Sequence, residues 1–483
     1  MATTICDSKI YFSRDVKVYI KVNTGTGDEI WEIPVLDGFS FSQANNSSEV
    51  VLSEMENSLG VSRRGKKMFN DSLAPVEWSF STYIRPFESV LNAPGQAGTA
   101  THVHAVEEIL WALFAGPAQR TTLGTGPFQG TDWQGLSTDY LTFAAAEGPT
   151  VLDFSASNQS TLGTASIFFV LRAGELAYEI TEAVVNEATI NFDIDGIAMI
   201  EWSGLGSTIA DSVTPTPTIF EAITSTTNFI RNRLTSMTVA PVKIAAALNV
   251  DTDASGVINA VAVTDPGSGY TDGTYTFIPG GIGAGSGAEL QYIVSGGTVG
   301  TPTIVSGGTG YTNNLSGQIV TGLPASDSGS YTYEQELNLE DSYNLTLTGG
   351  SITLSNNISY ITPEELGVVN VPFAHVTGTR SISGTFNNYV VLDTAATTPD
   401  TDLSQNFWED LINLTTVVTQ DFALEFQVGG STGLPRIEFT MPHAHIEIPT
   451  HSIEDVISIE TNFTALGSCI SNIDELTLSY YAT

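Results

Sequence analysis

The sequence predicts a mainly β protein made of two tandem β-barrel or β-sandwich modules, each with one α-helix, plus a small Gly-rich β-domain inserted into the second. Three observations carry that prediction. Polarity alternates along most of the chain, two short segments with helical apolar spacing recur in equivalent places, and one central stretch is glycine-rich with a repeat of its own.

The alternation is plain in Glu77-Trp78-Ser79-Phe80-Ser81-Thr82-Tyr83, from Ser381 to Phe386 and from Ile437 to Met441. A period of two, dominated by Thr, Ser, Val, Ile and aromatics, reads as antiparallel sheet buried on one face. Val106 to Phe114 and Leu403 to Leu414, with Phe407, Trp408, Leu411 and Ile412, break that period. Their apolar residues recur at helical spacing after Thr-, Pro- or Asp-rich linker, which predicts two short amphipathic helices.

The order of landmarks repeats. The first half runs from Gly38-Phe39-Ser40-Phe41-Ser42-Gln43-Ala44-Asn45-Asn46 through a loop to Glu77–Tyr83, the first helix, Ala165–Leu171 and Glu201–Ser207. The second runs from Gly350-Ser351-Ile352-Thr353-Leu354-Ser355-Asn356-Asn357 through a loop to Arg380–Phe386, the second helix, Phe422–Val428 and Glu460–Ser468. Thr82 to Ile109 is 27 positions and Thr385 to Leu411 is 26. Matching order and spacing predict two copies of one module; two unrelated β-domains are the alternative.

The second copy begins early, because Phe229 to Val239 parallels Tyr11 to Ile20, and is then interrupted. Pro266-Gly267-Ser268-Gly269-Tyr270-Thr271-Asp272-Gly273 is echoed by Gly307-Gly308-Thr309-Gly310-Tyr311-Thr312-Asn313-Asn314, turn chemistry between short strands. The expected division is therefore 1–225 for the first module, 226–243 with 326–483 for the second, and 244–325 for an inserted β-domain.

Across 483 residues, 53 Asp and Glu against 16 Lys and Arg give a formal net charge of −37. Charged residues are only 14% and mean hydropathy is +0.09, which describes a folded chain with an acidic skin, not a disordered one. So few cations exclude a general affinity for nucleic-acid phosphates or anionic lipid. Cys6 and Cys469 are too few for a disulfide framework or a four-ligand zinc site. No stretch reaches the ~18 apolar residues of a membrane helix, and the first thirty residues lack a clean apolar core, so neither a bilayer span nor a conventional secretion signal is expected.

Candidate sites have bland competitors. His443, His445 and Glu447, with His451 nearby, stand on one side of a strand, but three ligands on one strand are stretched for one ion, and histidines of a β-ladder are the simpler reading. His102 and His104 lie in a Gly/Thr loop. Asp251-Thr252-Asp253-Ala254-Ser255-Gly256 starts like a calcium loop, yet Ala262 stands where a bidentate Glu is needed, so it reads as a turn. Asp193, Asp195 and Glu201 would be the carboxylates of a glycoside hydrolase; with 53 acids a pair proves nothing, and no nucleophile elbow, phosphate loop or dinucleotide fingerprint occurs.

The Gly38–Asn46 strand, the long loop through Ser62-Arg63-Arg64-Gly65-Lys66-Lys67-Met68-Phe69-Asn70-Asp71, the strand from Ala74 to Phe80, the helix and the closing strand Ile197–Gly204 together resemble the module of bacteriophage tail tube proteins. The resemblance covers about residues 10 to 240 and, more weakly, 330 to 483. It implies a structural virion protein, not an enzyme, assembled in the host cytoplasm into stacked rings that form the conduit for genome delivery. Its partners would be further copies of itself and other tail proteins (terminator, baseplate or tip, tape measure), with double-stranded DNA passing without specific binding, no membrane and no cofactor. Family members with two modules per chain form trimers with pseudo-sixfold rings, and the duplication resembles that kind. The inserted domain departs from the pattern and resembles decoration domains outside tails. A β-rich surface, decoration or adhesin protein is the alternative.

Nine of the sixteen basic residues lie at or before Arg85, and Arg63, Arg64, Lys66 and Lys67 crowd one loop. The corresponding loop of the second copy carries Glu364 and Glu365. Both are expected to be contact loops between rings, the basic one meeting an acidic surface; a solvated loop whose charge aids solubility is the competing reading.

Overall fold

The computed structural model describes residues 16–23, 28–49, 67–91, 97–115, 141–143, 150–153, 162–172, 176–217, 229–241, 247–266, 273–277, 285–295, 298–312, 318–321, 343–366, 368–391, 404, 407–408, 411, 422–430, 434–453, 457–468 and 474–482. In the first half, β1 (Lys17–Asn23), β2 (Asp28–Ile33), β3 (Ser40–Glu49), β4 (Met68–Tyr83), β5 (Pro86–Leu91) and β6 (Ala97–Ala105) precede helix α1 (Glu108–Ala115). After it come β7 (Leu141–Phe143), β8 (Thr150–Asp153), β9 (Ala165–Arg172), β10 (Leu176–Asp193), β11 (Met199–Gly206) and β12 (Ile209–Ser212). β13 (Ser236–Pro241) is followed by the strands of the Gly-rich segment: β14 (Ala247–Thr252), β15 (Ile258–Asp265), β16 (Gly273–Phe277), β17 (Ser286–Ser295), β18 (Thr298–Val299), β19 (Thr303–Thr309) and β20 (Gln318–Thr321). Then come β21 (Tyr343–Leu345), β22 (Leu347–Ser355), β23 (Ser359–Ile361), β24 (Ala374–Val376) and β25 (Ser381–Tyr389). The chain continues with helical backbone at Ser404, Phe407, Trp408 and Leu411. Last are β26 (Phe422–Val428), β27 (Arg436–Ile446), β28 (Thr450–Ile453), β29 (Ile457–Ala465) and β30 (Thr477–Tyr481).

The period of two becomes burial directly. Val76, Trp78, Phe80 and Thr82 of β4 are buried while Glu77, Ser79 and Ser81 face away, and Phe422, Leu424, Phe426 and Val428 do the same in β26. The first helix differs from expectation. All eight residues of α1 are buried, so it is not amphipathic; Trp111 stands edge-on to Trp202 at 4.8 Å, inside the core. The Phe114 carbonyl at its end accepts a 2.9 Å hydrogen bond from Asn356 Nδ2 of the second half, where a solvated helix would use water.

The same strand order occurs in both halves. In the first, one layer runs β3-β4-β11-β10 and the other β2-β1-β9-β10-β12, the 18-residue β10 serving both. In the second, the layers run β22-β25-β29-β27 and β21-β13-β26-β27-β30. Registers agree as well. Phe169 faces Val18, which faces Ile33; Phe426 faces Met237, which faces Leu345. Both long strands carry a bulge at one place: Ile180 pairs with Ile167 and Ala183 with Ala165, while Met441 pairs with Leu424 and Ala444 with Phe422. Counted from that bulge, the row Val185, Gly204, Trp78, Phe41 corresponds to the row Ile446, Phe463, Gly384, Ile352. Gly38 thus matches Gly349, one residue before the Gly350 from which the sequence comparison starts.

The halves are joined by sheet hydrogen bonds, not only by a linker. β10 pairs antiparallel with β22, from Glu187 facing Ser355 to Asp193 facing Gly349. Gly350 lets the strands approach, since a Cβ there would meet the Phe192 ring at 2.7 Å and the Thr385 carbonyl oxygen at 2.4 Å. One hydrophobic core includes Val18, Trp78 and Trp111 with Phe386, Phe426 and Phe463. The strands β14 to β20 stand apart: they form separate small sheets around Leu248, Val250, Leu290 and Tyr292, between β13 and β21.

Candidate functional site: an acidic sheet face without cations

The two joined layers present their non-core side chains on one face. Where Ile190, Ile200, Ile352 and Phe386 point into the core, their neighbours Thr189, Glu201, Thr353 and Thr385 point out of it. Registers line these residues up across seven strands: Ser81, Glu201, Thr189, Thr353, Ser383, Thr464 and His445 form one row. Ser40, Ser79, Ser203, Glu187, Ser355 and Ser381 form another.

Cross-strand hydrogen bonds knit the face. The Ser40 and Ser79 hydroxyls lie 2.9 Å apart, Thr189 and Thr353 3.2 Å, and Ser351 and Thr385 3.3 Å. Asn191 Nδ2 donates to Glu201 Oε1 at 3.3 Å, and Asn462 Nδ2 to Glu447 Oε2 at 2.8 Å. Such ladders hold side chains flat to the sheet and contribute a few tenths of a kcal/mol to ~1 kcal/mol each.

Charge on this face has one sign. Glu77, Glu187, Asp193, Glu201, Glu447 and Glu460 supply carboxylates, and β3, β4, β10, β11, β22, β25, β28 and β29 contain no Lys or Arg. Lys17 and Lys21 sit on the other layer, Lys17 Nζ 2.8 Å from Glu32 Oε1 and Lys21 Nζ 3.5 Å from Glu179 Oε1, while Arg380, just before β25, is paired with Glu475 at 2.6 Å. Arg436, at the start of β27, is 2.7 Å from Glu438 and stacks on the Tyr481 ring at 3.6 Å. The composition gave the excess of acid; the concentration of acids without cations on one face was not legible in it.

Of the loop residues singled out from sequence, Arg63, Arg64 and Lys66 lie outside the described residues. Lys67 is exposed, its Nζ 5.2 Å from the Phe69 ring centroid. Glu364 and Glu365 are exposed between β23 and β24, and their loop runs beside β4 in the same chain. Leu73 N–H donates to the Asn370 carbonyl at 2.8 Å, Asn370 N–H to that of Asp71 at 3.2 Å, and Glu365 N–H to Asn370 Oδ1 at 3.0 Å. Sequence reasoning missed the apolar residues exposed on the same two segments, among them Met68, Phe69, Leu366, Val368, Val369 and Phe373.

The metal candidates do not converge. Among the described residues no three His, Cys, Asp or Glu side chains are grouped to hold an ion. His445 joins the polar row, and the side chains of His102, His104 and His451 lie outside the described set. Asp253 Oδ1 accepts from Ser255 N–H at 2.8 Å and Val257 N–H at 3.0 Å, so its carboxylate is turned onto its own backbone. Glu201 is held by Asn191 within the ladder, with Asp193 at the exposed strand end.

The continuous antiparallel sheet system defines a mainly β protein. No family model matches the chain. The tail tube protein pb6 of Escherichia phage T5 is similar to it, 24% identical over 468 residues that make up 96% of this chain and 74% of that protein. The similarity supports a structural tail tube protein of a phage and does not favour the adhesin, decoration or hydrolase alternatives.

Proposed function

We propose that copies of this chain join into rings that stack as a phage tail tube, with the acidic, cation-free sheet face lining the bore. The observation that carries this reading is the row of eight strands from β3 through β10 and β22 to β27, hydrogen-bonded without interruption, in which the one Lys or Arg, Arg436 of β27, lies in the part paired with β30 of the other layer and the acidic face itself carries Glu and Asp. A wall of that kind repels phosphate, so double-stranded DNA slides past without specific binding during genome ejection. The role is structural and not enzymatic, within the virion tail, after assembly in the host cytoplasm.

The repeated strand order supports two tube modules per chain, 1–225 and 226–243 with 326–483, each filling one wall position, so that a homotrimer makes a pseudo-hexameric ring. The separate small sheets of 244–325 suit a peripheral domain. Arg63, Arg64, Lys66 and Lys67, with Glu364 and Glu365, serve as contact loops to the adjacent ring, helped by the apolar residues exposed beside them. Cations meeting acids fix the stacking direction, since heterologous stacking is polar. Terminator, baseplate or tip, and tape-measure proteins would meet the tube at its ends and bore. Electron microscopy of the purified chain tests the reading: rings or tubes with a central hole are expected, and dispersed single particles at every concentration would overturn it.

A further inference from the structure

Among the described residues β3 pairs on one side only, with β4, and β28 on one side only, with β29. These are the two outer edges of the wall layer, and the chain itself contains the joint that would close them. At that joint β10 pairs with β22, Thr189 facing Thr353 and Asn191 facing Ser351. The correspondence of registers carries each partner onto a free edge. Thr189 faces Glu201 as Thr450 faces Glu460, which maps β10 beyond its bulge onto β28; Phe41 corresponds to Ile352, which maps β22 onto β3. We infer that β28 of one copy pairs antiparallel with β3 of a second copy, Thr450 facing Ser42 and Ser452 facing Ser40, so that the joint between chains repeats the joint within one.

Chemistry at the edge agrees. The Thr189 and Thr353 hydroxyls touch at 3.2 Å across the internal joint, and the corresponding pair, Thr450 and Ser42, is again two exposed hydroxyl residues. Two open edges of matched register would otherwise invite irregular aggregation, and pairing them into a closed sheet removes both. The inference rests on the ring reading above and adds which edges meet and in which register.

The test is oxidative cross-linking of the full chain, with Cys6 and Cys469 replaced by Ser, carrying Ser42→Cys and Thr450→Cys together. Facing residues have Cβ atoms ~4.5–5.5 Å apart, within slight adjustment of disulfide geometry. Assembled material should shift from monomer to a covalent ladder, and a mixture of the two single variants should give dimers only. Ala44→Cys with Thr450→Cys, two residues out of register on the same face, should stay monomeric. Tubes that form but cross-link only through the Ala44 variant, or not at all, would overturn this register and leave the tube standing. If the unsubstituted chain forms no rings or tubes, the tube reading falls and the joint with it.

Discussion

The Tyr480 hydroxyl donates a 2.9 Å hydrogen bond to Glu107 Oε1 and accepts one of 2.7 Å from Trp111 Nε1, tying β30 of the second half to the turn and helix that follow β6 in the first. Glu107 also accepts from Arg85 N–H at 3.3 Å, and all of this is buried. Burial pushes the Glu107 carboxyl up to about 7, against the lowering effect of those hydrogen bonds and of Arg85.

A carboxyl whose folded pKa is raised holds a proton that the unfolded chain gives up. Its penalty on stability is absent below the ordinary value of 4.5 and grows as pH rises to about 7. Glu107→Gln keeps an acceptor for Tyr480 without that penalty. Its stability advantage over the native chain should grow by about 2 to 3 kcal/mol between pH 5 and pH 8 in urea titrations. A pH-independent difference would show that the native carboxyl is not titrating there. Tyr480→Phe, which leaves the Trp111 N–H without its acceptor and takes one of its hydrogen bonds from Glu107, should cost about 1–3 kcal/mol.

Gly204 and Gly384 admit no side chain. A Cβ at Gly204 would stand 2.1 Å from the Val184 carbonyl oxygen and 2.4 Å from the Trp78 ring, and one at Gly384 2.1 Å from the Ser351 carbonyl oxygen. Gly204→Ala and Gly384→Ala should each lower stability by ~1–3 kcal/mol or more, read as a fall in thermal midpoint. Unchanged midpoints would mean that the strands separate freely at these crossings.

Glu201 and Glu460 occupy matching places on the acidic face. Replacing both by Lys should leave assembly intact but make the tubes retain short duplex DNA at low salt, released as salt rises. Co-sedimentation measures it, with the native chain as the reference that retains none. Equal behaviour of both would remove this face from the bore.

Deleting 244–325 and closing the gap with a Gly/Ser linker should leave rings intact in micrographs, because loop closure changes slowly with length and these strands have their own core. Loss of all assembly would make the insert part of the wall.

Replacing Arg63, Arg64, Lys66 and Lys67 by Ser should permit rings but shorten tubes relative to the native chain, most at low salt, because high salt screens the same attraction in the native chain. Tubes of normal length at every salt concentration would end the contact role of this loop.

Strand class and the place of the first helix were legible because one buried face imposes a period of two, which the unbroken apolar run from Ile109 to Ala115 interrupts. The repeat was faint residue by residue for a packing reason. Trp78 of β4 covers Gly204 of β11, whereas the matching positions are Gly384 of β25 and Phe463 of β29, so the large and small partners have changed strands. Such an exchange keeps the volume of a cross-strand pair while erasing the likeness of each strand to its counterpart.

By itself the sequence determined the fold class, the excess of acid, the shortage of cations and a Gly-rich interruption, all of which are local or compositional properties. Only the tertiary structure decided that Glu77, Glu187, Asp193, Glu201, Glu447 and Glu460, scattered along the chain, share one face, that α1 is buried on every side, and that β10 and β22 fuse the halves into one sheet. Each depends on register between strands distant in the chain, and a shift of one residue would turn every carboxylate from that face into the core.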